Sequence, residues 1–374
     1  MRFLFLALDV DLSLRAGDTV HTLELARNLA VLNHQVDLVV ENYSSDAMES
    51  RDVRIHATRG KGTASAVRAG LRICHEIGAD IVYERRLTPK VGISIAALSS
   101  LPFAVEINGV TDKERALLSA QPYRPSGFRH WARTRILTRA QAVITVSPSL
   151  KKILVEDYQL DSTQVHVIPN GVNLELFRPL SQTETRRDLG FPSDISLLGF
   201  VGHLNPWQGV DLMLRLLAEI RKTAPDVRGV VVGDGPDRAR LEEYAKSLGL
   251  GNSIRFEGSV PYSSVPEYIS TFDVAMSLKP PLLPGSPLKV REYMACGRPV
   301  IASQNTEYDF GIVEDARAGL LINPMDIRET ARATLQLIED EVLRKEMGIR
   351  GRGYAEAHCS WLATAQRVAE ACSQ

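Results

Sequence analysis

Short apolar runs alternate with helix-period stretches from one end of this chain to the other, and that alternation restricts the fold more than any other feature. Residues 3–8 form an apolar run, and a loop carrying Gly17 follows. Val20, Leu23, Ala26, Leu29 and Ala30 then mark one face of a helix, and residues 36–40 read as the next strand. This is a βαβ unit. Further strand candidates at 81–83, 103–107 and 142–146 are again separated by helical patterns, and the economical arrangement is an α/β fold with parallel strands.

The pattern breaks at 168–179, IPNGVNLELFRP, where Pro169, Asn170 and Gly171 supply turn chemistry and Pro179 stops any continuing helix. Beyond it the alternation restarts. Residues 197–201 lead into the loop GHLNPWQG, 210–221 are helical, and 229–232 run into Gly233-Asp234-Gly235-Pro236. Residues 254–256, 273–277 and 299–302 complete the strand candidates. A chain of 374 residues exceeds the roughly 250–300 that one core accommodates, and 44% hydrophobic residues can fill two. The expectation is two doubly wound parallel-sheet halves, residues 1–180 and 181–358, facing across a cleft. Ligands of such sheets bind beyond the carboxyl ends of the strands.

Composition narrows the partners. Lys plus Arg number 44 and Asp plus Glu 45, a net charge of −1, which argues against coating nucleic acid by bulk electrostatics. Cys74, Cys296, Cys359 and Cys372 form no CxxC pair and fit reduced, structural thiols of a cytoplasmic protein. The opening MRFLFLALDVDLSL is cut by Asp9 and Asp11 and reads as a buried strand rather than a secretory leader. The longest charge-free stretch, 91–105, falls short of the ~20 residues that cross a bilayer, so no transmembrane helix is expected.

The stretch 286–303, SPLKVREYMACGRPVIAS, fits a diphosphate at the start of a helix. Ser286 suits the cap and Pro287 the first helical position, and the N–H groups of the opening turn attract an anion. Ser286, Lys289 and Glu292 or Tyr293 share one helical face, so an ammonium and a carboxylate address the same molecule from adjacent turns.

Taken together, the first loop with His21 on the helix after it, VITVS at 143–147, VIPNGVN at 167–173, GDGP at 233–236 and EYMACGRPVIAS resemble one family. That family is the large group of retaining, nucleotide-sugar-dependent glycosyltransferases with the GT-B fold, of the family 4 or group 1 type. The resemblance spans nearly the whole chain and implies two Rossmann-like domains. It also implies that residues 359–374 form a last helix returning to the first domain.

The resemblance assigns Glu292 to the ribose hydroxyls of the donor, a task for an acceptor-only group. Lys289 would neutralise the departing diphosphate. Gly17, Gly202, Gly233 and Gly285 would allow close backbone approach to phosphate, with Ser286, Pro287 and Leu288 beside them. His203 and Gln208 stand where relatives frequently carry Arg and Lys, and Pro284 where many carry a second glutamate. His203 could supply charge conditionally, when a phosphate raises its pKa. Glu106 and Asn108, after a strand, would reach the reacting sugar or acceptor, or else cap neighbouring loops. His21 would face the donor phosphates or lie on the surface.

Arg124, Arg129, Arg133, Arg135 and Arg139 interleave with Phe128, Trp131, Ile136 and Leu137. An amphipathic helix near 128–139 fits contact with anionic lipid, binding of a phosphate-bearing acceptor, or simple packing on the core with a solvated arginine face. The implied reaction is sugar transfer from a nucleoside diphosphate sugar, UDP- or GDP-linked, to a hydroxyl acceptor, with retention. Neither a metal nor a further cofactor is expected: Asp9-Val10-Asp11 spells DxD but closes the first strand of the non-donor half. Two rivals share the fold, a sugar-nucleotide epimerase and a non-catalytic nucleotide-sugar-binding partner of another transferase. A dinucleotide dehydrogenase is disfavoured, since DVDLSLRAG lacks GxGxxG.

Overall fold

The computed structural model describes residues 1–13, 17–43, 53–58, 62–110, 127–280, 285–286, 288–304 and 310–374. Its strands form two sheets, and every strand pair is parallel.

The first sheet contains β1 (Arg2–Asp11), β2 (Gln35–Asn42), β3 (Val53–Ala57), β4 (Ile81–Arg85), β5 (Phe103–Ile107), β6 (Ala142–Thr145) and β7 (Val165–Val167), in the order β3-β2-β1-β4-β5-β6-β7. The second contains β8 (Ser196–Val201), β9 (Val227–Val232), β10 (Ile254–Gly258), β11 (Val274–Ser277), β12 (Val300–Ser303) and β13 (Gly319–Ile322), in the order β10-β9-β8-β11-β12-β13. Both are doubly wound. The strand order reverses between β1 and β4 and between β8 and β11, and the crevice for a ligand opens beyond those strand ends.

Near-continuous Val, Leu, Ile and Phe in the central strands matches burial on both faces. One side of the first sheet packs Ile95, Leu137, Leu150 and Tyr158; the other packs Leu25 and Leu29. Ala365, Val368 and Ala369 of the helix Trp361–Ala371 join that second side, so the C-terminal helix crosses back onto the first domain. Ser360 caps it through Ala363 N–H at 3.1 Å. The crossing is pinned where Val172 N–H donates to Cys359 O at 2.7 Å and Gln141 Nε2 to Cys372 O at 3.1 Å.

Several expectations need correction. Gly17 belongs to the helix Gly17–Val31 as its first residue rather than to a loop before it. The strands β3, β7 and β13 add to those expected from sequence. The helix Phe128–Leu137 buries Leu137 in the core and half-buries Ile136, while Phe128 and Trp131 are 78% and 55% exposed, so its apolar stripe packs on the core at one end only. Their rings stack with centroids 5.6 Å apart. Arg124 lies outside the described residues. All four cysteines are buried, and burial pushes the Cys74 thiol up to about 11 and the Cys372 thiol up to about 12, which keeps both protonated and unreactive.

Candidate active site

The carboxyl end of β8 is closed by the helix Leu288–Ala295. Tyr293, fully buried, accepts the Val201 N–H at 2.8 Å and fixes that helix against the strand end. Gly202 then turns with φ +146°, a backbone state that disfavours side chains, and a Cβ there would fall 2.7 Å from Lys289 Nζ. The glycine therefore makes room for the lysine. Lys289 Nζ donates to Gln208 Oε1 at 3.0 Å and stands 3.8 Å from the centroid of the Phe200 ring. Burial, then the nearby Lys279, hold its pKa well below the lysine range, against the opposing pull of Glu292.

Glu292, one turn on, is 5% exposed. Tyr262 Oη donates to its Oε1 at 3.3 Å. Burial raises its carboxyl to about 7, with the Tyr262 bond and Lys289 pulling the other way. Burial and the Glu292 carboxylate push the Tyr262 hydroxyl well above its ordinary value, and Glu24 of the first domain adds to this. Glu24 in turn accepts from Asn173 Nδ2 of the linker at 3.1 Å. The Lys289–Glu292 pair thus sits where the second domain, the linker and the helix Gly17–Val31 meet.

Gly233 has φ +134°, and a Cβ on it would stand 2.0 Å from Gly202 O. The two glycines pass each other backbone to backbone. Their own N–H groups are spent, on Val232 O at 2.9 Å and Gly258 O at 2.8 Å, so what they provide is space rather than donors. His203 is exposed. Asp234 across the turn is held below its usual range by the Gly235 N–H, by Arg238 and, more weakly, by His203. Gln208, one departure from the family pattern, accepts the Lys289 ammonium on its amide oxygen.

Gly285 is buried, and Leu288 is half-buried beside it. Ser286 Oγ accepts from Arg291 Nη1 at 2.8 Å. Pro284 and Pro287 lie outside the described residues.

In the first domain the parallel register sets Arg85 of β4 opposite Glu106 of β5. Glu106 is 1% exposed and both its oxygens are engaged. Oε1 takes Asn108 Nδ2 at 2.5 Å and lies 2.6 Å from His21 Nε2, while Oε2 accepts from Tyr83 Oη at 2.5 Å. Burial alone would raise this carboxyl, yet His21, Arg85 and Tyr83 together hold it at about 2. Glu106 is therefore a fixed anion that positions His21 and Asn108. His21 is 4% exposed, edge-on to Trp361 at 5.2 Å, which removes the surface reading. Asn108 Oδ1 is buried without a hydrogen-bond partner and lines a cavity of about 670 Å³ beside Glu106.

The remaining expected positions divide. Gly17 is exposed and a Cβ on it would meet nothing within 4 Å, so the protein itself does not demand a glycine there. The DxD residues part company: Asp9 lies 3.7 Å from Arg86, whereas Asp11 accepts from Ser13 N–H at 2.9 Å. Among the described residues no cluster of three His, Cys, Asp or Glu side chains could hold a metal ion, and no helix is long and apolar enough to cross a membrane. Sequence reasoning missed Tyr262, Phe200 and Tyr83. Their partners stand 23 to 89 positions away in the chain, beyond the reach of local spacing.

Comparison with known proteins bears on the family and the fold. Residues 16–176 match the model described as Glycosyltransferase Family 4, and residues 181–354 match Glycosyl transferases group 1. A D-inositol 3-phosphate glycosyltransferase of Corynebacterium diphtheriae is 28% identical, over 96% of this chain and 84% of its own. The sucrose-phosphate synthase of Thermosynechococcus elongatus superposes with a TM-score of 0.83 at 21% identity, covering 99% of this chain and 97% of that one. Anabaena HepE in complex with UDP-glucose does so with 0.82 at 20% identity, covering 100% and 99%. With its two parallel-sheet domains and both family models matched in tandem, the chain belongs to the group 1, family 4 glycosyltransferases of GT-B fold.

Proposed function

We propose that this chain moves a sugar from a nucleoside diphosphate sugar, UDP- or GDP-linked, to the hydroxyl of a glycan, glycolipid or small metabolite, with retention and without metal. The observation that carries the reading is the pairing of Lys289 and Glu292 on one buried helix at the carboxyl end of β8. Bonds to the ribose O–H groups suit the Glu292 carboxylate, and the diphosphate suits Lys289. An anion beside the depressed Lys289 raises its pKa again, so donor binding recharges the ammonium that stabilises the leaving group. Closure of the two domains excludes water from the reacting sugar. Anabaena HepE, of the same fold, forms complexes with UDP and with UDP-glucose, which supports a nucleotide-sugar donor here.

Asn108 Oδ1 is the candidate acceptor for an incoming hydroxyl proton donor, held in place by Glu106. Gly17, His203, Gly285, Ser286, Pro287 and Leu288 remain proposed donor contacts. Contact with an anionic membrane at its cytoplasmic face, through Phe128 and Trp131 with Arg135 5.8 Å from the Trp131 centroid, completes the reading.

Calorimetric titration with UDP-glucose and GDP-mannose tests it. One of the two is expected to bind, with at least tenfold loss in both Lys289→Ala and Glu292→Ala. Unchanged affinity in both variants removes the site. Anomeric configuration read by NMR, and turnover in EDTA, decide stereochemistry and metal use.

A further inference from the structure

Tyr262 stands between two carboxylates that belong to different domains. Its hydroxyl donates to Glu292 Oε1 at 3.3 Å, within the second domain. From the other side Glu24, on the helix Gly17–Val31 of the first domain, adds to the upward push that burial and Glu292 exert on the same hydroxyl. A phenol has one proton to donate, so the two acceptors compete for it.

The surroundings decide which carboxylate holds it. The Tyr262 ring packs on Phe177 of the linker with centroids 5.2 Å apart. Arg352 Nη1 ties Phe177 O at 2.6 Å to Ala295 O at 2.9 Å, at the end of the helix that carries Glu292. The phenol is thereby fixed on the second-domain side. Glu24 is engaged elsewhere: its Oε1 accepts from Asn173 Nδ2 at 3.1 Å and lies 3.8 Å from Arg27 Nη1, one turn along the same helix. Arg27 Nη2 is buried and has no hydrogen-bond partner among the described residues. Burial lowers the pKa of this guanidinium, with Glu24 and then Tyr262 pulling it back up, so the cation lies within electrostatic reach of both. A positive charge kept there despite the loss of water weakens the claim of Glu24 on the phenol proton.

We infer that Tyr262 is a positioning residue of the donor site, holding Glu292 Oε1 in place for the ribose hydroxyls, and that Arg27 of the first domain keeps the phenol on Glu292 by offsetting Glu24. A carboxylate has several lone pairs, so the Tyr262 O–H fixes the group while others remain for the ribose. Both residues act through Glu292 rather than on the nucleotide. The inference rests on the reading of Glu292 as the ribose contact and adds a part for the opposite domain.

The test titrates UDP and GDP, each beside its 2′,3′-dideoxy analogue, into the full chain at about pH 8. For the base that binds, the ribose form is expected to bind at least about tenfold more tightly than the dideoxy form. Tyr262→Phe, which keeps the ring on Phe177, should cut that ratio to about threefold or less by weakening the ribose form. Arg27→Gln should lower the ratio too. Adding Glu24→Gln, whose amide oxygen still accepts from Asn173, should restore it to within about twofold of wild type. Equal weakening of both nucleotides in Tyr262→Phe is what a merely structural role gives, and it overturns the inference. An unchanged ratio in Arg27→Gln, or a double variant that does not recover it, overturns it as well. If Glu292→Ala abolishes the discrimination and Tyr262→Phe keeps it, the inference falls and the donor-site reading stands. A wild-type protein that binds the dideoxy forms as tightly as the ribose forms overturns both.

Discussion

At Gly17, the first residue of the helix after β1, the space is open, whereas the turn after β8 is packed backbone against backbone at Gly202 and Gly233, beside Lys289. The first domain lines its cavity with several half-exposed charges on side chains; the second holds a half-buried ammonium and a buried carboxyl beside turns that leave no room for a Cβ. A nucleoside diphosphate offers the same anionic centre whatever sugar it carries, and a pre-packed frame suits it. A pocket made of side chains can change its partner by point substitution.

The sharpest way to break that contrast is to add one methyl group to each turn. Gly233→Ala forces a Cβ to within 2.0 Å of Gly202 O at a positive φ, and a loss of about 3 kcal/mol or more is expected in urea unfolding. Gly17→Ala adds a methyl to open space and should stay within about 0.5 kcal/mol. Equal costs at the two positions would end the comparison.

Removing the Lys289 ammonium comes next. Lys289→Ala should slow UDP release from UDP-glucose about 10²-fold, because the charge growing on the leaving diphosphate loses its fixed partner. The same substitution at Lys90 should leave UDP-glucose affinity within threefold, since Lys90 stands on the first-domain helix Lys90–Ser99 rather than in the second domain. Comparable losses of donor affinity at both lysines would merge the two sites.

Glu84 and Glu292 are buried carboxyls with raised pKa values, one in each domain, and they should report on different properties. For Glu84 the folded value is about 8 against an ordinary 4.5, so the folded state holds an extra proton between those limits. The contribution of Glu84 to stability is greatest below about pH 4.5 and is lost as pH rises toward 8. The full shift corresponds to roughly 4–5 kcal/mol, and relaxation around the ionised group should leave about 2 kcal/mol between pH 5 and 8. Glu84→Gln keeps an oxygen for the Gly92 N–H and should remove that dependence; an unchanged pH profile of unfolding would refute the assignment.

The outline of the fold was legible because parallel strands buried on both faces leave continuous apolar runs, and Gly and Pro punctuate them. The strands that escaped notice were β3, with exposed and half-buried positions along VRIHA, and the short β7 and β13 of three and four residues. The Lys289 and Glu292 pair was legible because both lie on one helix, so helical spacing alone relates them. The Lys289 bond to Gln208 spans 81 positions and that of Tyr83 to Glu106 spans 23, and no local period encodes either. Phe128 and Trp131 misled for another reason. An apolar pair three residues apart looks the same whether it faces a core or the solvent.

Glu292 gives the smallest effect and the most direct reading of the donor site. Its carboxyl titrates at about 7 in the unliganded protein, and the ionised form is the one that accepts ribose O–H groups. Donor affinity should therefore be full above pH 7 and decline below it, by about tenfold between pH 8 and pH 6. UDP-glucose is the probe, since its diphosphate diester carries no proton in that range. The other titrating group of the pair has the opposite sign: Lys289, with its depressed pKa, loses charge as pH rises and so would favour the anion at low pH. In Glu292→Gln the amide oxygen still accepts while the group no longer titrates. Its affinity should be weaker than wild type at pH 8 and should no longer decline toward pH 6. An acid-side loss that persists in that variant would move the titration away from Glu292, and with it the carboxyl half of the donor site that distinguishes the second domain from the first.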